Sequence, residues 1–318
     1  MNRNKTDERL GQEKLNKQGC KMKIICYNNA KNIIVEFQDK YKGVVHTNYK
    51  CFFDGTVKNP NFYKYRLEEK NFNYQGCLMR IVEYNNAHDI IVEFQDEHNT
   101  KVKTRYSLFL SGSVKNPYFP SVYGVGIVGK KYPTIINGKD IKEYKSWHSM
   151  LQRCFDEKLK NKHPTYKDVS CCEEWLNYEN FYEWLHEQEN FVKWLNNEDR
   201  WSLDKDILIK GNKIYSPNTC CLVPIGVNNL FIKNNVNRGS LPIGVVKHGR
   251  GYRVMCCNPF TSELENLGVY LTIEEAFQVY KEHKENLIKQ IAEIEYNKCN
   301  ITKKCYDAMM NYKVEITD

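Results

Sequence analysis

A duplication is the feature of this sequence that most restricts how it can fold. The string IIVEFQD at 33–39 recurs at 90–96, an offset of 57 positions. The match continues without a gap from Gly19 against Gly76 to Pro60 against Pro117. Self-similarity at a fixed offset is the signature of repeated structural units. The chain therefore opens with two copies of one small module.

Each copy is predicted to be a small, barrel-like β-unit. It reads as a strand, an Asn-Asn turn, a β-branched strand, a third strand ending at Tyr49 or Tyr106, and a glycine turn closed by Asn-Pro. Basic residues interleaved with aromatic ones flank the third strands: Lys42, His46, Lys50, Lys101, Lys103 and Arg105. That mixture fits a nucleic-acid surface. A solvated strand face over an aromatic core fits equally well, and both interpretations stay open.

The middle of the chain predicts a hairpin followed by helices. Asn137-Gly138, within 121–145, is a strong hairpin signal. Large apolar residues then recur at helical spacing in two stretches: Trp147, Met150, Leu151, Cys154 and Phe155, and then Trp175, Phe181, Trp184, Leu185 and Trp194. At this spacing an aromatic stripe indicates a core rather than a stacking surface.

Charge changes sign sharply near residue 206. From Glu173 to Asp206 there are ten acidic and three basic residues, whereas 207–262 has no acidic residue. Seven basic residues lie in that second stretch: Lys210, Lys213, Lys233, Arg238, Lys247, Arg250 and Arg253. In a chain of net charge +8 such a run favours phosphate binding. Neutralisation by the acidic helical region is the alternative.

Residues 239–294 predict three strands and a helix. Strands are expected at 243–246, 252–256 and 266–270, and Thr272 with Glu275 forms a capping box that begins a helix. Gly244-Val245-Val246, Tyr252-Arg253-Val254, Leu267-Gly268-Val269-Tyr270 and 274–280 resemble the AP2 DNA-binding domain. That resemblance implies a sheet that enters the major groove, and it makes four residues the candidate DNA contacts: Lys247, His248, Arg250 and Arg253.

Residues 201–228 predict a strand, a hairpin loop, a second strand and the start of a helix. Asp204 and Asn228 offer hard oxygen ligands that could converge on Mg²⁺ or another divalent cation. The segment is similar to the HNH nuclease motif, which implies metal positions at Asp204 and Asn228. Lys205 departs from the family by replacing the general-base histidine, and Thr219 replaces the structural asparagine.

Catalysis in such a site would depend on the residues beside Asp204. Lys205 and Asp206 are the catalytic candidates. A lysine at its ordinary pKa of about 10.4 is protonated and is no base unless burial or neighbouring cations lower that pKa strongly, and Asp206 is the group that would orient the water instead. A surface hairpin in which Asp204 and Asp206 merely face Lys205, Lys210 and Lys213 is the alternative interpretation.

The predicted fold class is α+β with several modules: two tandem small β-repeats, a helical region with a ββα unit, and a three-stranded sheet plus helix. The expected boundaries are 1–18 for a polar segment, 19–75 and 76–120 for the repeats, 121–200 for the hairpin and helical region, 201–237 for the HNH-like unit, 238–295 for the AP2-like domain, and 296–318 for a peripheral tail. Together these modules resemble HNH/AP2 homing endonucleases of phages and mobile elements.

Three functions are compatible with this sequence. The first is a DNA-binding protein that nicks or cleaves double-stranded DNA with a divalent cation. The second is a catalytically inactive DNA-binding protein. The third is a phage protein that inhibits a host defence enzyme through residues 173–194. A host protein and a second copy of this chain are thus further candidate partners.

The expected location is the cytoplasm of a bacterial host. No apolar stretch approaches the length of a membrane span, the first seventeen residues are polar, and the thirteen cysteines include no CxxC pair. We therefore expect reduced thiols and no membrane partner.

Overall fold

A computed structural model describes residues 8–196, 200–232, 241–258 and 260–318. The chain divides into two compact units, Met1–Phe119 and Pro120–Asp318, each described by itself. Both contain small, mainly antiparallel sheets, and the second adds most of the helices, so the fold class is α+β. Within the described ranges, no helix is long and apolar enough to cross a bilayer.

The first repeat is an open four-stranded antiparallel meander followed by a short helix. Its elements are β1 (Glu13–Leu15), β2 (Lys21–Asn29), β3 (Asn32–Phe37), β4 (Val44–Thr47) and α1 (Tyr49–Phe53). One face of β2 and β3 is apolar at alternate positions, and its fully buried residues are Met22, Ile24, Ile33, Val35 and Phe37. A 3-10 turn at Phe62–Tyr65 leads into the second copy.

The second repeat has the same architecture. Its elements are β5 (Lys70–Phe72), β6 (Leu78–Asn86), β7 (Asp89–Phe94), β8 (Lys101–Thr104) and α2 (Tyr106–Leu110). The pair Ile81 and Val92 repeats the register of Ile24 and Val35, and the irregularities of the ladder recur at equivalent positions. The duplication in sequence is therefore a duplication in structure.

Three details of the repeats differ from prediction. The first strand of each sheet, β1 or β5, lies before the expected boundary at 19 or 76. Both are short edge strands of three residues. Tyr49 and Tyr106 open helices rather than ending strands. The four strands pair in simple chain order, so each sheet is open and not a barrel.

A buried asparagine closes each repeat. The Asn73 amide donates to the Val114 carbonyl oxygen at 2.9 Å, and its Oδ1 accepts from the Cys77 backbone N–H at 2.8 Å. Asn16 makes the equivalent bonds to Val57 and Cys20 at the same distances. Each asparagine thus joins the beginning of its module to the loop that ends it.

The second unit begins with the predicted hairpin and helices. Its elements are β9 (Ile135–Ile136), β10 (Lys139–Asp140), α3 (Lys142–Phe155), α4 (Glu157–Lys162), a 3-10 turn at Pro164–Tyr166, β11 (Ser170–Cys171), a 3-10 turn at Glu173–Leu176, α5 (Tyr178–His186) and α6 (Phe191–Asn196). Asn137 and Gly138 both have positive φ, as a tight hairpin turn requires. Trp147, Trp175 and Phe181 are fully buried, which confirms the core interpretation.

The remaining elements form a ββα unit and a three-stranded sheet backed by a long helix. They are β12 (Trp201–Asp204), β13 (Ile214–Tyr215), β14 (Cys221–Pro224), α7 (Ile225–Asn229), β15 (Val245–His248), β16 (Gly251–Asn258), β17 (Glu263–Tyr270), α8 (Ile273–Asn297) and α9 (Lys303–Met310). The capping box of Thr272 and Glu275 is present. At Gly244, φ is +76°, and a Cβ there would lie 2.0 Å from the Tyr280 ring, so glycine lets the sheet approach α8.

The C-terminal residues are part of this core rather than a peripheral tail. Ile301, Cys305 and Met309 are buried in the same apolar cluster as α8 and the sheet. The sequence hides this role because α9 has only eight residues, too short a stretch for its apolar spacing to establish which face it buries.

Replacing Asn73 by Ala should destabilise the first unit by about 3 kcal/mol, because the Val114 carbonyl and the Cys77 N–H would both lose a buried partner. Urea unfolding followed by far-UV circular dichroism measures this. All five tryptophans lie between 147 and 201, so their fluorescence should stay unchanged. Asn85→Ala, at an exposed site in the same repeat, is the control; an equal loss there would contradict the assignment.

Candidate functional site

Two antiparallel strands and a short helix position the candidate metal residues. Asp204 ends β12 and lies opposite Cys221 on β14, while α7 follows β14 directly. Val227 on α7 is fully buried, and its neighbour Asn228 is half-buried. This local arrangement is the strand, strand and helix order that the sequence predicts.

Asp204 is a buried carboxylate held by its own turn. Its Oδ1 accepts from the backbone N–H of Asp206 at 2.9 Å and of Ile207 at 2.8 Å. Only 7% of the residue is exposed. Burial, and then the nearby Asp206 carboxylate, raise the pKa of Asp204 to about 6, although the two backbone bonds act in the opposite direction. Near neutral pH the group is thus mostly ionised in poorly solvated surroundings.

Lys205 and Asp206 form an ion pair beside this carboxylate. Their charged atoms are 3.6 Å apart, and the Lys205 side chain is only 12% exposed. The Lys205 ammonium also lies 5.9 Å from the centre of the Tyr215 ring. An ion pair uses the protonated amine, so this geometry suits Lys205 to bind an anion or hold Asp206 rather than to accept a proton.

The loop after Asp204 is braced by side-chain hydrogen bonds. The Asn212 amide donates to the carbonyls of Lys205 and Ile214, both at 2.7 Å. The Thr219 hydroxyl donates to the Ile214 carbonyl at 2.7 Å and lies 2.8 Å from the Ser216 hydroxyl. Thr219 therefore stabilises the turn before β14 through its hydroxyl. The HNH motif has an asparagine at this position.

One cleft of about 410 Å³ brings the predicted site residues together. Both metal candidates, both catalytic candidates and two of the basic candidates line it: Asp204, Asn228, Lys205, Asp206, Lys210 and Lys213. The other lining residues are Thr165, Tyr166, Gly211, Phe231, Ile232 and Tyr312. Residues that the sequence interpretation selected on chemical grounds thus share one open surface.

Several residues of this cleft escape sequence reasoning. Tyr166 comes from the 3-10 turn before β11, and Tyr312 follows α9, far along the chain from Asp204. The Tyr312 ring meets Phe231 with ring centres 4.9 Å apart. No local pattern marks these tyrosines, because only the tertiary fold brings them to the cleft.

The two lysines of the cleft differ in their charge environment. The Lys210 ammonium lies 2.9 Å from an Asp318 carboxylate oxygen and 3.4 Å from Glu315, so C-terminal carboxylates compensate its charge. Lys213 is exposed, and in the described ranges no carboxylate lies within 4.0 Å of it. Of the two, Lys213 is therefore better placed to meet a phosphate.

Neutralisation by the acidic helical region is absent from the described residues. Among them, Lys210 is the one basic residue of 207–262 that forms an ion pair, and its partners lie at 315 and 318. Lys233 and Arg238, two further predicted DNA contacts, lie outside the described residues. The positive character of this segment is thus largely retained at Lys213, Arg250 and the sheet.

The candidate contacts on the sheet do not share one face. Opposite residues of paired strands lie on the same face, which places Val246 beside Arg253, away from α8. His248 is on that face too, with a ring nitrogen 2.8 Å from the Arg253 guanidinium. Lys247 lies on the other face, 4.1 Å from the centre of the Tyr252 ring. Arg250 is exposed in the hairpin turn.

The donor set fits a cation held mainly by water and substrate. Within the part of the chain that the structure describes, no group of three or more His, Cys, Asp or Glu residues is placed to hold a metal. Asp204 and Asn228 supply oxygen donors to one cleft, and Mg²⁺ needs only one or two protein ligands beside water and phosphate. A structural zinc site would require more.

Comparison with protein-family models, with curated proteins and with solved structures finds no match to this chain.

Asp204→Asn should stabilise the metal-free protein at pH 8 and leave it unchanged near pH 4. The pKa of Asp204 is about 6 in the folded state, above the ordinary 3.8. The free energy of unfolding therefore falls as the pH rises from 3.8 to about 6, and asparagine avoids that loss because it does not ionise. The expected gain is about 2 to 3 kcal/mol. Urea unfolding followed by tryptophan fluorescence in EDTA measures it; a difference that does not vary with pH would contradict the burial argument.

Proposed function

We propose that this protein binds DNA and cleaves or nicks it in the cleft around Asp204, with a divalent cation. One observation carries the proposal: the buried carboxylate of Asp204, whose pKa is raised to about 6, shares a cleft with Asn228 and with Lys213, an exposed lysine able to meet phosphate. A carboxylate that stays ionised near neutral pH although burial disfavours its charge is a common sign of a functional site. The resemblance of 201–228 to the HNH motif points to the same chemistry.

Asp204 and Asn228 are the residues that would hold the cation, and Mg²⁺ is the best fit to their oxygen donors. The bound cation would stabilise negative charge on the leaving 3′-oxygen. Lys213 would hold a neighbouring phosphate. Asp206, held by its ion pair with Lys205, would orient the attacking water and accept its proton as the phosphorus bond to the 3′-oxygen breaks.

The three-stranded sheet is the proposed double-stranded DNA-binding element. Arg253 and His248 lie on the face away from α8, and Arg250 is exposed at the hairpin turn beside them. Arginine suits both guanine recognition and phosphate binding. The AP2-like resemblance assigns DNA contact to this sheet. A phage or mobile-element origin and action in the cytoplasm of a bacterial host belong to the same proposal.

A catalytically inactive DNA-binding protein is the second candidate. The Lys205–Asp206 pair favours it, because lysine replaces the expected base and engages the neighbouring carboxylate. In that case the cleft would bind phosphate without cleavage. Inhibition of a host defence enzyme through 173–194 has less support, because Trp175, Phe181 and Trp194 are core residues and do not form an exposed aromatic surface.

Incubation with supercoiled plasmid and Mg²⁺ or Mn²⁺ tests the cleavage proposal. Asp204→Ala and Asn228→Ala should each lower the nicking rate by about a hundredfold or more, since each removes a group that stabilises transition-state charge. Asn229→Ala is the matched control, because Asn229 is exposed and does not line the cleft. Plasmid binding without nicking would support the inactive protein, and neither activity would favour the inhibitor hypothesis.

Arg250→Ala with Arg253→Ala should weaken binding to duplex DNA and flatten its salt dependence. Each phosphate that is no longer neutralised lowers the slope of log K against log salt by about 0.9. Fluorescence anisotropy of a labelled duplex between 50 and 200 mM salt, about the range where such effects are large, measures this. Lys289→Ala, on the helix behind the sheet, should leave both values unchanged. An unchanged slope in the double variant would remove the sheet from the DNA-binding surface.

A further inference from the structure

A cluster of lysines and tyrosines lies at one end of the first repeat. We call it the lysine tip: Lys40, Tyr41 and Lys42 of the turn between β3 and β4, with Tyr63, Lys64 and Tyr65 of the following 3-10 turn. Lys40 and Lys42 are exposed. The exposed fractions of Tyr63 and Tyr65 are 39% and 43%. The tip therefore presents positive charge and aromatic surface together.

The rings of the lysine tip are held in place. Tyr41 and Tyr65 meet edge to face with ring centres 5.2 Å apart. The ammonium groups of Lys40 and Lys64 lie 4.8 and 5.2 Å from the centre of the Tyr41 ring. Burial, and then the nearby Asp39 carboxylate, raise the pKa of Tyr65 to about 12. Contacts of this kind fix the rings before any partner arrives.

Asp39 builds the turn, and Asp96 builds the same turn in the second repeat. Asp39 accepts from the backbone N–H groups of Tyr41 and Lys42, both at 2.9 Å, and from the Asn59 amide at 2.6 Å. Asp96 accepts the corresponding bonds from His98, Asn99 and Asn116. The scaffold of the turn is therefore the same in both copies.

The side chains on this shared scaffold differ in charge. Glu97, His98 and Asn99 replace Lys40, Tyr41 and Lys42, and His98 lies 3.4 Å from the Glu97 carboxylate. Over the matched ranges 19–60 and 76–117 the net charge is +4 in the first copy and zero in the second. Basic residues of the second copy are also paired, as in Lys103 with Asp89 at 3.0 Å.

Lys42 occupies a backbone conformation that disfavours lysine. Its φ is +44°, and the equivalent Asn99 has φ +47°. Asparagine tolerates this left-handed region, whereas a long side chain there costs roughly 1 kcal/mol. The second copy shows the residue that suits the turn. Keeping lysine at 42 is therefore not explained by folding of the turn.

We propose that the lysine tip binds single-stranded nucleic acid, with the lysines on phosphates and the exposed tyrosine rings against unpaired bases. Aromatic surface beside a positive groove is the usual basis of such binding. Within the described ranges no carboxylate lies within 4.0 Å of Lys40, Lys42 or Lys64. The proposal does not rest on cleavage, because binding at the tip needs neither a cation nor the Asp204 cleft.

The test compares full-length variants by fluorescence anisotropy in EDTA, with labelled thymidine and uridine strands of about 16 nucleotides, a length that covers one such site. Lys40→Glu with Lys42→Asn installs the residues of the second copy. For each phosphate that the variant no longer neutralises, affinity should fall at least about fivefold at roughly 0.1 M salt, and the salt slope should fall by about 0.7. Comparing the two strands shows whether DNA or RNA is preferred.

A charge-matched control and a reciprocal variant make the test specific. Lys31→Glu with Lys50→Asn removes the same charge at the opposite end of the same sheet, where Tyr49 bonds to Ala30. That variant should bind nearly as well as the parent. Glu97→Lys with Asn99→Lys should gain affinity by adding lysines to the second copy.

Three results would overturn the proposal. One is unchanged affinity and salt slope in the Lys40→Glu, Lys42→Asn variant; another is an equal loss of affinity in the variant at 31 and 50, which would indicate general charge attraction. Binding of an acidic protein but of neither strand would also overturn it. Asp204→Ala should retain single-strand binding in EDTA, so failure of the cleavage proposal would remain distinguishable from failure of this one.

Discussion

Burial of the Asp204 carboxylate is the constraint around which the cleft is arranged. The strand that carries it must end there, because its Oδ1 takes the backbone N–H groups of Asp206 and Ile207. That turn then directs Lys205, Asp206 and the following loop along one side of the cleft, while α7 brings Asn228 to it. Burial leaves the ionised group poorly solvated, so the two backbone N–H groups, and after them the Lys205 ammonium, are what stabilise its charge.

The parts of this structure that sequence predicts are those with local periodicity or a local motif. Alternation around Ile24 and Val35, the Asn137-Gly138 turn and the capping box at Thr272 each report a short-range physical preference. The co-location of Asp204 and Asn228 also follows from a local motif, since a strand, a strand and a helix in succession bring them together.

Other parts depend on contacts that no local window contains. The edge strand Glu13–Leu15 is wholly exposed, so it has no burial pattern to detect. Tyr166 and Tyr312 reach the cleft only through the tertiary fold. The buried role of Cys305 escapes prediction because a helix of eight residues is too short for its apolar spacing to reveal which face it buries. For the two tyrosines and for Cys305 the missing information is a partner distant in sequence, whereas the edge strand pairs with the nearby strand β2 and lacks only a burial pattern.

The repeats form from residues close together in sequence, whereas the cleft combines residues far apart. This difference affects the order in which a growing chain folds. Each repeat closes within roughly sixty residues, as the bond from Asn16 to Val57 illustrates, and short-range contacts form early. The cleft draws on residues from Thr165 to Tyr312, so it cannot exist until the ribosome has released the last of them. During synthesis the chain therefore gains its repeats well before it gains the cleft around Asp204, which separates the two folding events in time.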